Sequence, residues 1–403
     1  MYSKIKNKIQ EKSLLFVIVL IIKRITFFIL YLTYRLLPIK SKLILFESEE
    51  DYCDNSWALY HYIHSNYTNY QFVWLTHKKK KYNEYKHTKF VYHPFSFTPL
   101  SAWYIARAKY IFYTHGLGDF LYPRKKQMII NLWHGIAIKG TKGGNYKSTP
   151  PFTHLLYLGK NNKKAQAQFL RCDEHFLIPL GYPRNDILIN NKDKGYNNPF
   201  APKGFNGKII IWMPTYRKCF NKTLSEDNCE TLTGLPLYND INEIILLNDY
   251  LKSINTCILI KIHHLQTENK VFKLKFSNLI FITDETLNKR ALQLYEVLGK
   301  TDALLTDYSS VSIDYLLLNR PMGFIIDDLV EYEKSRGKFQ FDNIKEILAG
   351  HHIYTIEQLY HFLKEISNGI DSTKELRNKI INTMITFQDN KSCERICQFC
   401  NIQ

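Results

Sequence analysis

The chain has 403 residues, 45% hydrophobic and 23% charged, which is enough to bury the cores of two compact domains and excludes a disordered or fibrous protein. Lys and Arg number 54 against 37 Asp and Glu, a formal net charge of +17 that calls for an anionic partner: phospholipid, nucleic acid or a phosphorylated substrate. Eight cysteines scattered without a paired framework argue against a secreted disulfide scaffold and fit a reducing, cytoplasmic compartment.

Residues 1–41 form the first segment. Leu14 to Ile22 is wholly apolar, Lys23 and Arg24 interrupt, and Ile25 to Leu32 is again nearly all apolar. A spanning helix needs about 20 apolar residues, and a Lys-Arg pair at mid-depth opposes insertion. No small-residue cleavage site follows, so a signal peptide is a poor match. Residues 1–42 carry nine Lys or Arg against the single acid Glu11. Apolar burial and attraction to anionic lipid then reinforce each other, which predicts a helix lying on the inner leaflet, with a helix packed on the protein's own first domain and a single tilted span as the alternatives.

From Lys42 the pattern alternates short β-branched or aromatic runs with helix-length segments. Strands are predicted at Lys42 to Phe46, Gln71 to Thr76, Phe90 to Tyr92, Tyr110 to Thr114, Met128 to Trp133 and Leu155 to Leu158, with helices at Ser56 to Ser65 and Ala102 to Ala108. Residues 187–207, rich in Asn, Lys, Gly and Pro, read as a linker. The rhythm then restarts with Lys208 to Trp212, Cys257 to Ile262, Leu279 to Ile282, Ala303 to Thr306 and Gly323 to Ile326, and helices at Thr355 to Asn368 and Thr373 to Phe387. This predicts two doubly wound α/β domains, 42–186 and 208–387, facing each other across a cleft, with residues 388–403 as a tail. In the tail, Cys393, Cys397 and Cys400 lie at helical spacing with no histidine nearby, which reads as a buried stripe rather than a zinc site.

Five segments place polar groups at the ends of predicted strands: Trp133-His134-Gly135, Gly181 to Asp186, Met213 to Arg217, Lys261 to His264, and Thr306 to Ser310. His134 has an ordinary pKa near 6.5 and can accept a hydroxyl proton at neutral pH, while Gly135 lets a substrate approach the backbone. Lys261 and His263 leave their strand two residues apart, so both face one side and can hold a diphosphate; His264 points the other way. Ser309 and Ser310 are good N-cap residues for a helix from Val311, where backbone N–H groups seat an anion. Arg184 and Arg217 are candidate phosphate or carboxylate clamps, with an ion pair at a domain edge as the alternative for each. Asp307 is suited to orient a histidine or a ribose, or to cap the turn.

In that order the segments resemble the CDP-glycerol glycerophosphotransferase family of teichoic acid and capsule synthesis. Leu45 to Ser48 with Asp54-Asn55-Ser56 looks like the family's opening strand and helix. W-H-G, G-x-P-R-N-D, P-T-[FY]-R, K-x-H and T-D-Y-S-S follow, and Asn319-Arg320-Pro321 to Asp328-Leu329 and Ser335-Arg336-Gly337 complete the likeness over most of residues 40–345. The resemblance implies a GT-B-like pair of Rossmann domains, no obligatory bound metal or firmly held cofactor, and transfer of a polyol phosphate from CDP-glycerol or CDP-ribitol to a hydroxyl, releasing CMP. It makes His134 and His263 the catalytic pair and Arg217, Lys261, Asp307, Ser309, Ser310 and Arg336 the donor contacts. Gly135, Arg184, Asn185 and Asp186 fall to the acceptor side or the cleft. His264 and Lys218 depart from the family, which often has proline and an acid there.

The expected partners are the CDP-polyol, a lipid-linked or oligosaccharide acceptor, and an anionic membrane at its cytoplasmic face. A divalent-cation requirement, the choice of polyol and the acceptor stay open. A sugar-nucleotide glycosyltransferase on the same fold reads identically at the level of strands and helices. A nucleic-acid-binding protein is the remote rival, because the Lys78 to Lys81 run reads as a solvated turn and no zinc-finger or RNA-recognition signature is present.

Overall fold

The computed structural model describes residues 14–78, 88–93, 98–117, 122–139, 150–192, 198–215, 233–262, 270–336 and 338–403. Its two sheets are wholly parallel, which the near-continuous Ile, Val, Leu and aromatic content of their strands requires, since helices cover both faces.

The first sheet contains β1 (Lys40–Glu47), β2 (Gln71–Thr76), β3 (Thr88–Tyr92), β4 (Ala108–Tyr113), β5 (Met128–Asn131), β6 (His154–Leu156) and β7 (Leu177–Ile178) in the order β3-β2-β1-β4-β5-β6-β7. The order reverses between β1 and β4, whose register pairs Phe46 with Phe112 and Glu47 with Tyr113. The second sheet contains β8 (Lys208–Trp212), β9 (Thr256–Lys261), β10 (Leu279–Ile282), β11 (Ala303–Thr306), β12 (Met322–Ile325) and β13 (His351–Ile353) in the order β10-β9-β8-β11-β12-β13, reversing between β8 and β11. Ligands of doubly wound sheets bind outside the carboxyl ends of the strands at such reversals. Strands β7 and β13, two and three residues long, fall below what hydrophobic periodicity can signal.

The helices are α1 (Leu14–Tyr34), α2 (Asp54–Asn66), α3 (Pro99–Arg107), α4 (Lys160–Leu170), α5 (Pro183–Asn190), α6 (Ile241–Ser253), α7 (Asp284–Lys289), α8 (Leu294–Leu298), α9 (Val311–Tyr315), α10 (Leu329–Arg336), α11 (Ile356–Ser367), α12 (Lys374–Met384) and α13 (Ser392–Cys400). The expected helix from Val311 to Asn319 is α9 followed by a 3-10 turn over Leu316–Leu318, closed by Asn319 in the left-handed region. The expected linker is also partly helical, because α5 runs on to Asn190.

The C-terminal segment corrects the sequence reading most. Residues 388–403 are not a tail: α13 packs against α2 and α5 of the first domain and buries Cys393, Ile396, Cys397, Cys400 and Ile402. Asp186 accepts hydrogen bonds from the backbone N–H groups of Ser392 (2.9 Å) and Cys393 (2.8 Å), filling two of the unsatisfied donors at the start of α13. Helix α12 reaches back as well, since Asn162 at the start of α4 donates its amide to the Met384 carbonyl at 2.9 Å. One apolar cluster therefore runs from Ile44 and Phe112 through Tyr182 and Leu188 to Leu304 and Ile396, joining the two sheets.

Helix α1 docks on α3 through one face only. Tyr31 is fully buried and Tyr34 meets Trp103 edge-on at 5.2 Å, while Ile21, Ile22, Ile25, Ile29 and Leu32 are exposed. Among the described residues no helix is long and apolar enough to cross a membrane.

Candidate active site

His134 follows β5 on a sharply turned loop. Trp133 takes φ +57° and Gly135 φ +131°, and the strain at Trp133 is held by hydrogen bonds. Asn131 accepts from the Trp133 N–H at 2.9 Å, and the Asn55 amide donates to the carbonyls of Trp133 (2.8 Å) and Leu132 (3.3 Å). Asn55 also accepts from the backbone N–H of Arg184 at 3.1 Å, so one buried side chain joins α2, the His134 loop and α5. Asn55 stood in the sequence as part of a family motif without a role; its fully buried amide is what keeps it there.

The His134 Nδ1 lies 3.3 Å from the Thr114 carbonyl, at the end of β4. A carbonyl only accepts, so Nδ1 carries the hydrogen and Nε2 carries the lone pair. Burial lowers the pKa of His134; Asp54 and the Thr114 carbonyl oppose that, and Arg184 adds to it. The ring is thus neutral at physiological pH, as a general base must be. His115 stacks on it, ring centroids 4.0 Å apart and planes 2° apart.

Gly135 brings the second domain in. A Cβ added there would lie 2.2 Å from the Ser310 Oγ and 3.2 Å from an Arg184 guanidinium nitrogen. Ser310, at the start of α9, makes no capping bond with its side chain. Of the two candidate cap serines, Ser310 does not cap with its side chain and lies against Gly135 of the opposite domain.

At the second-domain reversal, the Asp307 carboxylate accepts from the Thr215 N–H (2.7 Å) and hydroxyl, tying the end of β11 to the end of β8. Thr306 donates to the Met213 carbonyl at 2.7 Å. Asp307 thus orients the Thr215 backbone. Lys261 pairs with Asp284 at 2.9 Å and donates to the Ile262 carbonyl at 3.1 Å. Arg217, His263 and His264 lie outside the described residues, as does the side chain of Arg336.

Arg184 is a clamp for carboxylates, and the carboxylates are the protein's own. Its guanidinium bonds Asp54 at 2.8 Å and Asp314 at 2.6 Å, with the Tyr295 ring 4.7 Å away. Asn185 donates to the other Asp314 oxygen at 3.1 Å. Arg184 and Asn185, expected on the acceptor side or in the cleft, tie the two domains together beside the cleft, and Asp186 holds α13. A cavity of ≈ 310 Å³ opens beside Arg184 and Asp54, between Glu50, Asp51 and Lys78 of the first domain and Asp284, Asn288 and Gln293 of the second.

Among the described residues a possible metal-binding group, His351, His361 and Glu365, lies at the amino end of β13 and on α11, on the side of the sheet opposite the strand ends that carry Asp307.

A family model described as CDP-glycerol:poly(glycerophosphate) glycerophosphotransferase matches residues 29–401. The chain belongs to this family. It is accordingly an enzyme of the class that moves a polyol phosphate from a CDP-polyol. It is 27% identical to a teichoic acid glycerol-phosphate transferase of Staphylococcus aureus, the match covering 94% of this chain and 98% of that one. It is also 27% identical to a teichoic acid poly(glycerol phosphate) polymerase of Bacillus subtilis over 82% of this chain but only 45% of that longer protein. The solved structure of the wall teichoic acid polymerase TagF superposes with a TM-score of 0.73 at 22% identity, covering 92% of both chains, and shows the shared fold of paired Rossmann-like domains.

Proposed function

We propose that this enzyme transfers glycerol or ribitol phosphate to a hydroxyl of a membrane-linked or polymeric acceptor in teichoic acid or capsule synthesis, with His134 as the general base. The observation that carries the reading is the placement of His134, its Nε2 lone pair left for an acceptor by the Nδ1 bond to Thr114, next to Gly135, which meets Ser310 across the domain boundary. The acceptor oxygen attacks the β-phosphorus of the CDP-polyol, the bond from that phosphorus to the CMP oxygen breaks, and the acceptor proton passes to His134. Positioning and charge stabilisation supply the rest. Lys261, Ser309 and Ser310, together with Arg217, His263 and Arg336, are the proposed contacts for the donor phosphates, and Asp307 holds Thr215, two positions before Arg217 in the sequence.

The net charge of +17 and the exposed isoleucine face of α1 support a location on the cytoplasmic face of the membrane, where apolar burial and anionic lipid act together. The test is incubation of the purified protein with CDP-glycerol or CDP-ribitol and candidate acceptors, following CMP and product length by mass spectrometry. CMP release that depends on acceptor and is lost in His134→Ala is expected. Turnover of a UDP- or GDP-sugar with no CMP from either CDP-polyol overturns the reading in favour of a glycosyltransferase.

A further inference from the structure

His115 belongs to no motif of the family likeness, yet its ring stacks directly on that of the proposed base. Its ring lies parallel to that of His134 at 4.0 Å, with a polar neighbour at each nitrogen. Nε2 is 3.4 Å from a Glu49 carboxylate oxygen and Nδ1 is 2.9 Å from the Thr114 hydroxyl. Thr114 therefore sets both rings at once, through its hydroxyl for His115 and its carbonyl for His134.

We propose that His115 is a positioning residue for the base: its ring face holds the plane of the His134 imidazole and, with Glu49 at its Nε2 edge, stabilises the imidazolium that forms there as the acceptor proton arrives. This rests on the phosphotransfer reading above. A cation placed over an aromatic face is attracted to it, and that attraction exists only once His134 has taken the proton. It acts on the transition state more than on the resting enzyme.

The surroundings decide which ring takes the charge. His115 is held well below the ordinary histidine pKa by burial first, then by His134, Arg184 and His77. His134 instead faces Asp54 at the start of α2, which favours its protonated form, with Arg184 of α5 opposing. Two stacked imidazoles repel a second charge, so the pair accepts one proton in this range. Glu49, at the Nε2 edge of His115, offers a negative charge to the pair as a whole.

The experiment compares His115→Ala, His115→Phe and Glu49→Gln with the wild type, after matched melting temperatures establish folding. His115→Ala is expected to lower kcat about ten-fold or more with the donor KM changed by less than about two-fold, the signature of an interaction made in the transition state. His115→Phe, which keeps an aromatic face, is expected to recover most of that loss. Independently of turnover, an NMR titration of the His134 ring should move to lower pH in Glu49→Gln, because an anion that favours the imidazolium is gone. The proposal is overturned if His115→Ala keeps kcat within about two-fold of wild type, or if the His134 titration is unmoved by Glu49→Gln. Wild-type protein that releases no CMP indicts the reaction assigned to the site, while the titration still judges the histidine pair.

Discussion

Arg184 joins Asp54 of the first domain to Asp314 of the second through opposite nitrogens of one guanidinium, at 2.8 and 2.6 Å. The group is buried, Tyr295 also donates to Asp314 at 2.6 Å, and burial is offset by two carboxylates that hold the Arg184 charge firmly on. Removing one member of such a group leaves an uncompensated buried charge, which costs about 3–5 kcal/mol. Arg184→Met is therefore expected to lower the unfolding free energy by about that amount, read by urea titration. Arg184→Lys should rescue little, because a point charge cannot span two carboxylates as the planar fork does. A destabilisation under about 1 kcal/mol would mean that the domains are held elsewhere.

Gly135→Ala should fold and yet lose activity. The added methyl would fall on the Ser310 hydroxyl and the φ of +131° suits only glycine, so the His134 loop or α9 must shift. Displacements near 1 Å at a reacting group cost about 10²-fold in rate. Acceptor-dependent CMP release is the measurement, and a variant within three-fold of wild type would show that the two segments do not need this contact.

The rate should fall on the acid side at a pH below the ordinary histidine value. Because burial lowers the pKa of His134, the neutral base persists as pH drops through about 6.5 and is lost only lower down. The log of kcat/KM against pH is expected to break below 6.5, and His134→Gln should lie about 10²–10⁴-fold lower with that break gone. A break well above 6.5 would assign the limb to another group.

Stability should decline in mild acid through His93. Fully buried beside Ser101 and His77, it is pushed down to about 3 by burial first and by His77 second. The unfolded chain binds a proton near pH 6.5 that the folded one refuses. Folding stability contributed at this position is therefore intact above pH 6.5 and is lost at about 1.4 kcal/mol per pH unit as the pH falls from there toward 3. Denaturant titrations at pH 7 and 5 should show a smaller loss in His93→Gln than in wild type. Equal losses would contradict the assignment.

Membrane attachment should depend on the outward face of α1. Ile22, Ile25 and Ile29 are each more than half exposed and lie along one side of the helix. Co-flotation with vesicles containing anionic lipid is expected for the wild type and should be lost when the three are replaced by Asn, and reduced by high salt. Retention of the triple variant on vesicles would place attachment elsewhere.

The family, the two parallel sheets and the place of His134 and Lys261 at strand ends were legible in the sequence. Strand periodicity, glycine placement and ordered short segments are local in the chain, and strands such as Gln71–Thr76 and Lys208–Trp212 appear where their residues put them. What the sequence left open was every role set by a partner far along the chain. Arg184 read equally as a ligand or as a tie, and Asp186 as a cleft residue, until Asp314, 130 positions from Arg184, and Ser392, 206 positions from Asp186, came beside them. The same holds for α13, whose cysteines show a stripe but not the domain it enters, and for His115, whose importance exists only because β4 and β5 are neighbours. A buried charge or imidazole takes its protonation and its function from what surrounds it, and only the folded chain supplies those surroundings.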